Sequence, residues 1–247
     1  GATLLIDGGG IKGSSFDVGK NVLAPALWRM GVRKLDYVIL THPHYDHYRG
    51  LGYVAKEFSP GYVVSNGLDA PEGEADDWRE FLSSLEEARV PLVDAGKGNL
   101  PREIGGVELK VMKPRVPEGL DLNDTSLVVS IRHGKKRFLS AGDLAQSGEA
   151  ALLKTGEELS ADFLKVGHHG SADASSKIFL DAVRPSVAAI SAGEHNRYGL
   201  PAKDALARIA ASGAAIYRTD RDGAITVTSD GESLRVETFV SRRSAGM

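Results

Sequence analysis

At 247 residues, with 42% hydrophobic and 26% charged residues, the chain is an ordinary globular sequence long enough to bury a sizeable core. A formal net charge of −3 supplies no global basic field, which counts against a plain DNA-binding module but not against an enzyme whose bound cations act locally. The lack of cysteine excludes disulfides and thiolate metal sites, and no run of about 18 apolar residues is present to span a bilayer.

The chain opens at Gly1, without an initiator Met, straight into a strand-like run over 3–6. We expect a piece of a larger protein. The first strand ends in Asp7-Gly8-Gly9-Gly10. A helix is predicted over 18–30, with Leu23, Leu27 and Met30 on one side and Gly31 as its stop. The apolar run 35–40 reads as a buried strand leading into a His-rich segment. A helix over 51–58 and a strand over 61–65 follow. The clearest amphipathic helix covers 74–88, with Trp78, Phe81, Leu82 and Leu85 on its apolar side. Strands are predicted at 107–112 and 126–131, then a turn at 133–136 and a return strand over 137–141 ending at Gly142-Asp143. The remainder alternates: helix 149–154, strand 163–166 ending at His168-His169, helix 176–182, strand 187–191, helix 203–211, strand 215–218. A hairpin over 224–239 turns at Ser229-Asp230-Gly231. Several strands thus end at chemically capable residues, where α/β scaffolds place their sites.

Of seven histidines, three fall within six residues, in Thr41-His42-Pro43-His44-Tyr45-Asp46-His47, and two are adjacent at His168-His169. Imidazole and carboxylate suit Zn²⁺, Mn²⁺ and Fe²⁺. In an extended loop the imidazoles of His42 and His44 can point the same way, while Asp46 and His47 on the next turn can face a second ion. Asp143 is a candidate bridge between two ions. At His168-His169 one residue is expected to be a ligand, with His168 preferred, and the other to orient it or to donate a proton. Asp46 and His169 are the expected catalytic groups. Asp7 reads either as a holder of a histidine tautomer or as an Asx-type turn residue.

Asp7-Gly8-Gly9, Thr41-His42-x-His44-x-Asp46-His47, Gly142-Asp143 and His168-His169-Gly170-Ser171 together resemble, in order and spacing, the metallo-β-lactamase superfamily. That implies an α/β chain in a four-layer αββα sandwich, one such domain over 1–247. A closer resemblance is to the C-terminal hydrolase-like domain of the ComEC family of DNA-internalisation proteins. It rests on Ser15-Phe16-Asp17-Val18-Gly19, Leu23-Ala24-Pro25, Asp124-Thr125-Ser126-Leu127-Val128, Asn196-Arg197-Tyr198-Gly199 and Tyr217-Arg218-Thr219-Asp220.

This resemblance implies a metal-dependent nuclease that degrades the non-imported DNA strand, within an inner-membrane channel and on its extracytoplasmic side. His42, His44, Asp46, His47, Asp143 and His168 would be the metal ligands. Ser171, Asn196 and Arg197 are expected substrate contacts, on resemblance and polarity. The chain departs from the family in lacking a segment of Asp-Val-Gly-Gln-Gly-Asp type before Gly1 and in carrying Leu200-Pro201 where many relatives have His-Pro. Many superfamily members also supply a histidine between the first motif and the Gly-Asp motif. Here only His133 lies between His47 and His168, in a predicted turn, so Asn123 or Asp124 is expected in that place. An oxygen-rich set favours two harder divalent ions, Mn²⁺ ahead of Mg²⁺ or Zn²⁺. DNA and the rest of the channel are the expected partners, with no organic cofactor. The basic residues Arg132, Lys135, Lys136 and Arg137 read as a solvated hairpin, with a backbone-tracking strip as the alternative. Competing activities are hydrolysis of small esters, lactones or lactams, and a non-catalytic binding or assembly module.

Overall fold

The computed structural model describes residues 1–97, 100–117, 119 and 121–240. They fall into two compact units, Gly1–Leu100 and Pro101–Met247.

The first unit alternates strands and helices: β1 (Leu4–Ile6), α1 (Ala24–Arg29), β2 (Tyr37–Ile39), α2 (Tyr45–Tyr48), α3 (Leu51–Phe58), β3 (Val63–Ser65), α4 (Ala75–Glu87) and β4 (Leu92–Asp94). Helical crossovers make the four strands parallel, in the order β1-β2-β3-β4. Leu35, Val38, Ile39 and Leu40 are all buried, as a run without alternation requires. The helix predicted over 18–30 is a π-helical turn, Gly19–Leu23, followed by α1. Met30 is a correction. It is 75% exposed, at the C-cap beyond the last residue of α1, whereas Leu23 and Leu27 pack against the core of the first unit. Trp78, Phe81 and Leu85 of α4 are buried as predicted, and they enclose Tyr48, whose ring lies 5.0 Å from Trp78 and 5.5 Å from Phe81. Tyr48 directly follows His47, so this aromatic cluster anchors α2. Strand β4 was not legible in the sequence: it is a three-residue edge strand whose Leu92 is exposed.

The second unit comprises β5 (Glu103–Ile104), β6 (Val107–Met112), β7 (Val128–His133), β8 (Lys136–Ser140), α5 (Gln146–Leu153), β9 (Phe163–Lys165), α6 (Lys177–Val183), β10 (Val187–Ile190), α7 (Lys203–Ala211), β11 (Ala215–Arg218), α8 (Thr219–Asp222), β12 (Ile225–Ser229) and β13 (Leu234–Thr238). Its seven-stranded sheet runs β11-β10-β9-β8-β7-β6-β5. Pairing is antiparallel from β5 to β8 and parallel from β8 to β11. The predicted turn at 133–136 is shorter, since His133 and Lys136 still pair in the ladder. Strands β12 and β13 form the predicted hairpin. The core is built from Val128, Leu139, Leu144, Leu152, Leu164, Val166, Phe179 and Ile190 among others. Because β8, β9 and β10 are parallel, the segments after them, beginning at Ala141, Val166 and Ser191, leave the sheet at one edge.

Candidate metal-binding residues

In the first unit, β1 and β2 are parallel neighbours, so Asp7 and Thr41 emerge side by side. Asp7 adopts a left-handed conformation (φ 59°) and donates its N–H to Ile39 O at 2.9 Å. Its carboxylate is thereby turned across the strand ends. Oδ1 accepts from Thr41 N at 2.8 Å, and Oδ2 accepts from Thr41 Oγ1 at 2.9 Å while lying 2.9 Å from His47 Nδ1. Thr41 Oγ1 lies 3.1 Å from His42 Nδ1. The Thr41 hydroxyl proton goes to Asp7, so Oγ1 is an acceptor for His42 Nδ1–H, and Asp7 Oδ2 likewise takes His47 Nδ1–H. These proton positions are assigned from the network. On both imidazoles Nε2 is then the nitrogen left for a metal. Thr41, His42 and His47 are all buried.

His42 Nε2 lies 2.9 Å from His44 Nδ1, and the His42 and His47 rings are 4.1 Å apart. Two nitrogens bound at about 2.0–2.1 Å to a tetrahedral ion lie roughly 3.3 Å apart, so this donor set suits a divalent ion. Asp46 stands exposed on the first turn of α2, beside His47. The segment is clamped from two sides. Tyr45 N donates to Glu74 Oε2 at 2.9 Å, and Lys12 pairs with Glu74 Oε1 at 2.8 Å. Gly8 N donates to His47 O at 2.7 Å, and a Cβ at Gly10 would come within 2.4 Å of Tyr45 O. Buried Glu74 was missed in the sequence: nothing local distinguishes it from the other acids around 72–80.

In the second unit, Gly142 takes φ 55°, a conformation open to glycine, and turns the chain so that Asp143 N donates to Ser126 Oγ at 3.0 Å. His168 N donates to Gly142 O at 3.2 Å, which ties the end of β9 to the same turn. His168 and His169 are both left-handed (φ 47° and 53°), costly for non-glycine residues and found where function demands an aim. His169 Nδ1 lies 2.8 Å from Ser191 O, and its Nε2 lies 3.4 Å from Asp143 Oδ2. Burial pushes the His169 pKa down, but the hydrogen bond and negative charge of Asp143 outweigh it and the net direction is upward. His168 Nε2 is 3.5 Å from Asn123 Nδ2, the outer limit of a hydrogen bond. Its buried Nδ1 has no hydrogen bond among the described residues, and Asp173 Oδ1 stands 3.6 Å away.

Asn123 and Asp124 separate cleanly. Asp124 Oδ1 accepts from Ala145 N at 3.2 Å and Gly148 N at 2.7 Å, capping α5. Asn123 is the one beside His168. His133 ends β7 at the far end of the hairpin, four ladder steps from the Val129–Ser140 pair, or roughly 13 Å. Of the expected substrate contacts, Ser171 is half-buried and donates its N–H to His168 O at 2.8 Å. Asn196 commits its amide to its own loop, donating to Gly193 O and Leu200 O and accepting from Leu200 N. Arg197 is exposed and bonds the Tyr198 hydroxyl at 2.7 Å.

The family model described as Metallo-beta-lactamase superfamily matches residues 1–195. The chain belongs to that superfamily. Its fold is accordingly the metallo-β-lactamase fold, with mixed α/β content and sheets flanked by helices. The chain is 31% identical over 216 residues to "ComE operon protein 3" of Bacillus subtilis, covering 87% of this chain and 27% of that protein. It is 32% identical over 204 residues to "Competence protein ComA" of Neisseria gonorrhoeae, covering 82% of this chain and 26% of that protein. The expected likeness to ComEC-type proteins is borne out, and the chain spans about a quarter of the length of these relatives. Among solved structures, "the metallo-beta-lactamase fold protein YhfI from Bacillus subtilis" superposes with TM-score 0.51 at 16% identity, over 87% of this chain and 83% of that one. Among the described residues no helix is long and apolar enough to cross a membrane.

Proposed function

We propose that residues 1–247 act as one metal-dependent phosphodiesterase domain that cuts DNA, degrading the non-imported strand as part of a larger membrane protein, on its extracytoplasmic side. The observation that carries the reading is the Asp7–Thr41 network, whose acceptors occupy Nδ1 of both buried imidazoles, His42 and His47, and leave Nε2 of each for a metal. The similarity to competence proteins supports the substrate. His42, His44, Asp46, His47, Asp143 and His168 are the proposed ligands of two divalent ions. The oxygen donors Asp46, Asp143 and Asn123 favour Mn²⁺. Bound, such ions would supply Lewis acidity and a nucleophile at neutral pH.

The chain's own groups then position and shield. Asp7 and Thr41 fix the imidazoles. His169, held by Ser191 O, orients Asp143 or passes a proton to the leaving oxygen. Ser171 and Arg197 offer polar contacts to a phosphate.

Single-stranded and duplex DNA incubated with the chain in Mn²⁺, Mg²⁺, Zn²⁺ or EDTA, beside Asp46→Ala and His47→Ala, tests this reading. Cleavage that needs metal and is lost in both variants is expected. Folded, metal-loaded protein that leaves DNA intact, or that hydrolyses a lactone instead, overturns it. Strong activity with Zn²⁺ and none with Mn²⁺ overturns the metal preference.

A further inference from the structure

Two grooves of similar size lie on the second unit, and their charges differ. One, of about 780 Å³, is lined by Arg102, Lys110, Arg132 and Arg137 but equally by Glu103, Glu108, Glu157 and Glu158. Its cations are largely neutralised: Arg132 pairs with Glu108 at 2.8 Å, Arg137 with Glu158 at 3.2 Å, and Lys110 with Glu157. Lys135 and Lys136 of the adjoining turn are paired too, with Glu232 at 2.8 Å and Asp162 at 2.9 Å. The basic strip visible in the sequence at 132–137 is therefore electrically closed.

The other groove, of about 840 Å³, runs between the end of β6 with the segment after it and helix α5. Lys113, Arg115 and Lys154 line it, with Ser147 and Thr155 between them. Glu157 is its one carboxylate among the described lining residues, and Glu157 is engaged by Lys110. Arg115 and Lys154 are exposed and make no ion pair among the described residues. On a chain of net charge −3, such a local excess of positive charge attracts a polyanion. Helix α5 is eight residues long, about 12 Å, enough for roughly three phosphates at the 3.4 Å spacing of one strand. It begins three residues after Asp143, so the groove leads away from a proposed metal ligand.

We propose that the groove lined by Arg115 and Lys154 is a backbone-binding track for a nucleic-acid strand. The proposal rests on the phosphodiesterase reading for its substrate, but its test does not require cleavage. Binding of a labelled single-stranded oligonucleotide is measured by fluorescence anisotropy in EDTA across a salt series. Arg115→Glu with Lys154→Glu is compared with Arg132→Glu with Lys135→Glu, and circular dichroism checks the fold of each. The groove pair is expected to weaken binding tenfold or more; Arg115→Ala with Lys154→Ala is expected to lower the salt slope by roughly 1.4, about 0.7 per lost phosphate contact. The paired-strip variant, which carries the same change in net charge, is expected to lose less affinity than the groove pair. Equal losses in both variants, unchanged affinity in the groove variants, or no binding by the wild type overturns the proposal. So does a selective loss of binding to anionic phospholipid vesicles, which would assign the groove to a membrane surface. If no metal supports cleavage but the groove variants still lose DNA in EDTA, the phosphodiesterase reading fails and the track stands.

Discussion

The two histidine segments are aimed by different means. Around His42 and His47 the imidazoles are set by side chains: one carboxylate and one hydroxyl, Asp7 and Thr41, decide which nitrogen carries the proton. Around His168 and His169 the backbone does the aiming, through left-handed residues and the Gly142 turn that His168 N bonds to. A side-chain network can be broken by removing one group, although Asp7 is itself left-handed (φ 59°), so its replacement by Ala also strains the backbone there. A backbone-directed segment is broken by adding atoms where none fit.

The largest expected effect comes from Asp7→Ala. It leaves the buried Thr41 N–H without its acceptor and removes the carboxylate beside His47 Nδ1, at a cost of about 3 kcal/mol in urea unfolding. Metal affinity, by competition with a chelator, should fall roughly 10–100-fold. A variant that binds metal as the wild type does would show that the side-chain network does not aim the first segment.

Gly142→Ala is the matching test of the second segment. The new Cβ would lie 2.7 Å from Ser126 Cβ at φ 55°, and a loss of about 2–3 kcal/mol is expected in the same unfolding assay. Wild-type stability would mean that the turn relaxes freely and does not set the direction of Asp143.

Asp124→Ala sharpens the contrast between two adjacent residues. It removes both N–H bonds at the start of α5 and should cost about 1–2 kcal/mol. Asn123→Ala should leave thermal stability nearly unchanged and act on metal binding instead. The reverse pattern would return Asp124 to the role of a ligand.

The smallest effect concerns pH. Glu149 accepts from Ser175 N at 2.5 Å and Ser176 N at 2.9 Å, fastening the segment beyond His168-His169, much as Glu74 fastens Tyr45 in the first unit. Burial raises the Glu149 pKa, against the opposing hydrogen bonds of Ser175 and Ser176 and the charge of Arg208. A raised acid binds more protons folded than unfolded. Stability therefore falls as pH rises from the ordinary carboxylate range through the raised value, then levels. Urea midpoints across weakly acid pH should show that slope, and Glu149→Gln should remove it.

Much of this was legible in the chain. The largely apolar run 35–40, the stripe of α4 and helices such as 203–211 follow from local patterning, and local patterning needs no partner to be read. Edge strands β4 and β5 were hidden because Leu92 of β4 is exposed and β5 has only two residues, so neither presents a buried apolar run.

By itself the sequence determined the superfamily, the cluster of candidate ligands and the places where strands end, since scarce residues at fixed spacing and apolar periodicity are one-dimensional signals. Only the tertiary structure decided which of Asn123 and Asp124 caps a helix, that Glu74 and Glu149 grip backbone N–H groups, and which basic residues are neutralised. Hydrogen bonds and charge pairs join residues distant in the chain, and a cation's effective charge depends on the carboxylate that folding brings beside it.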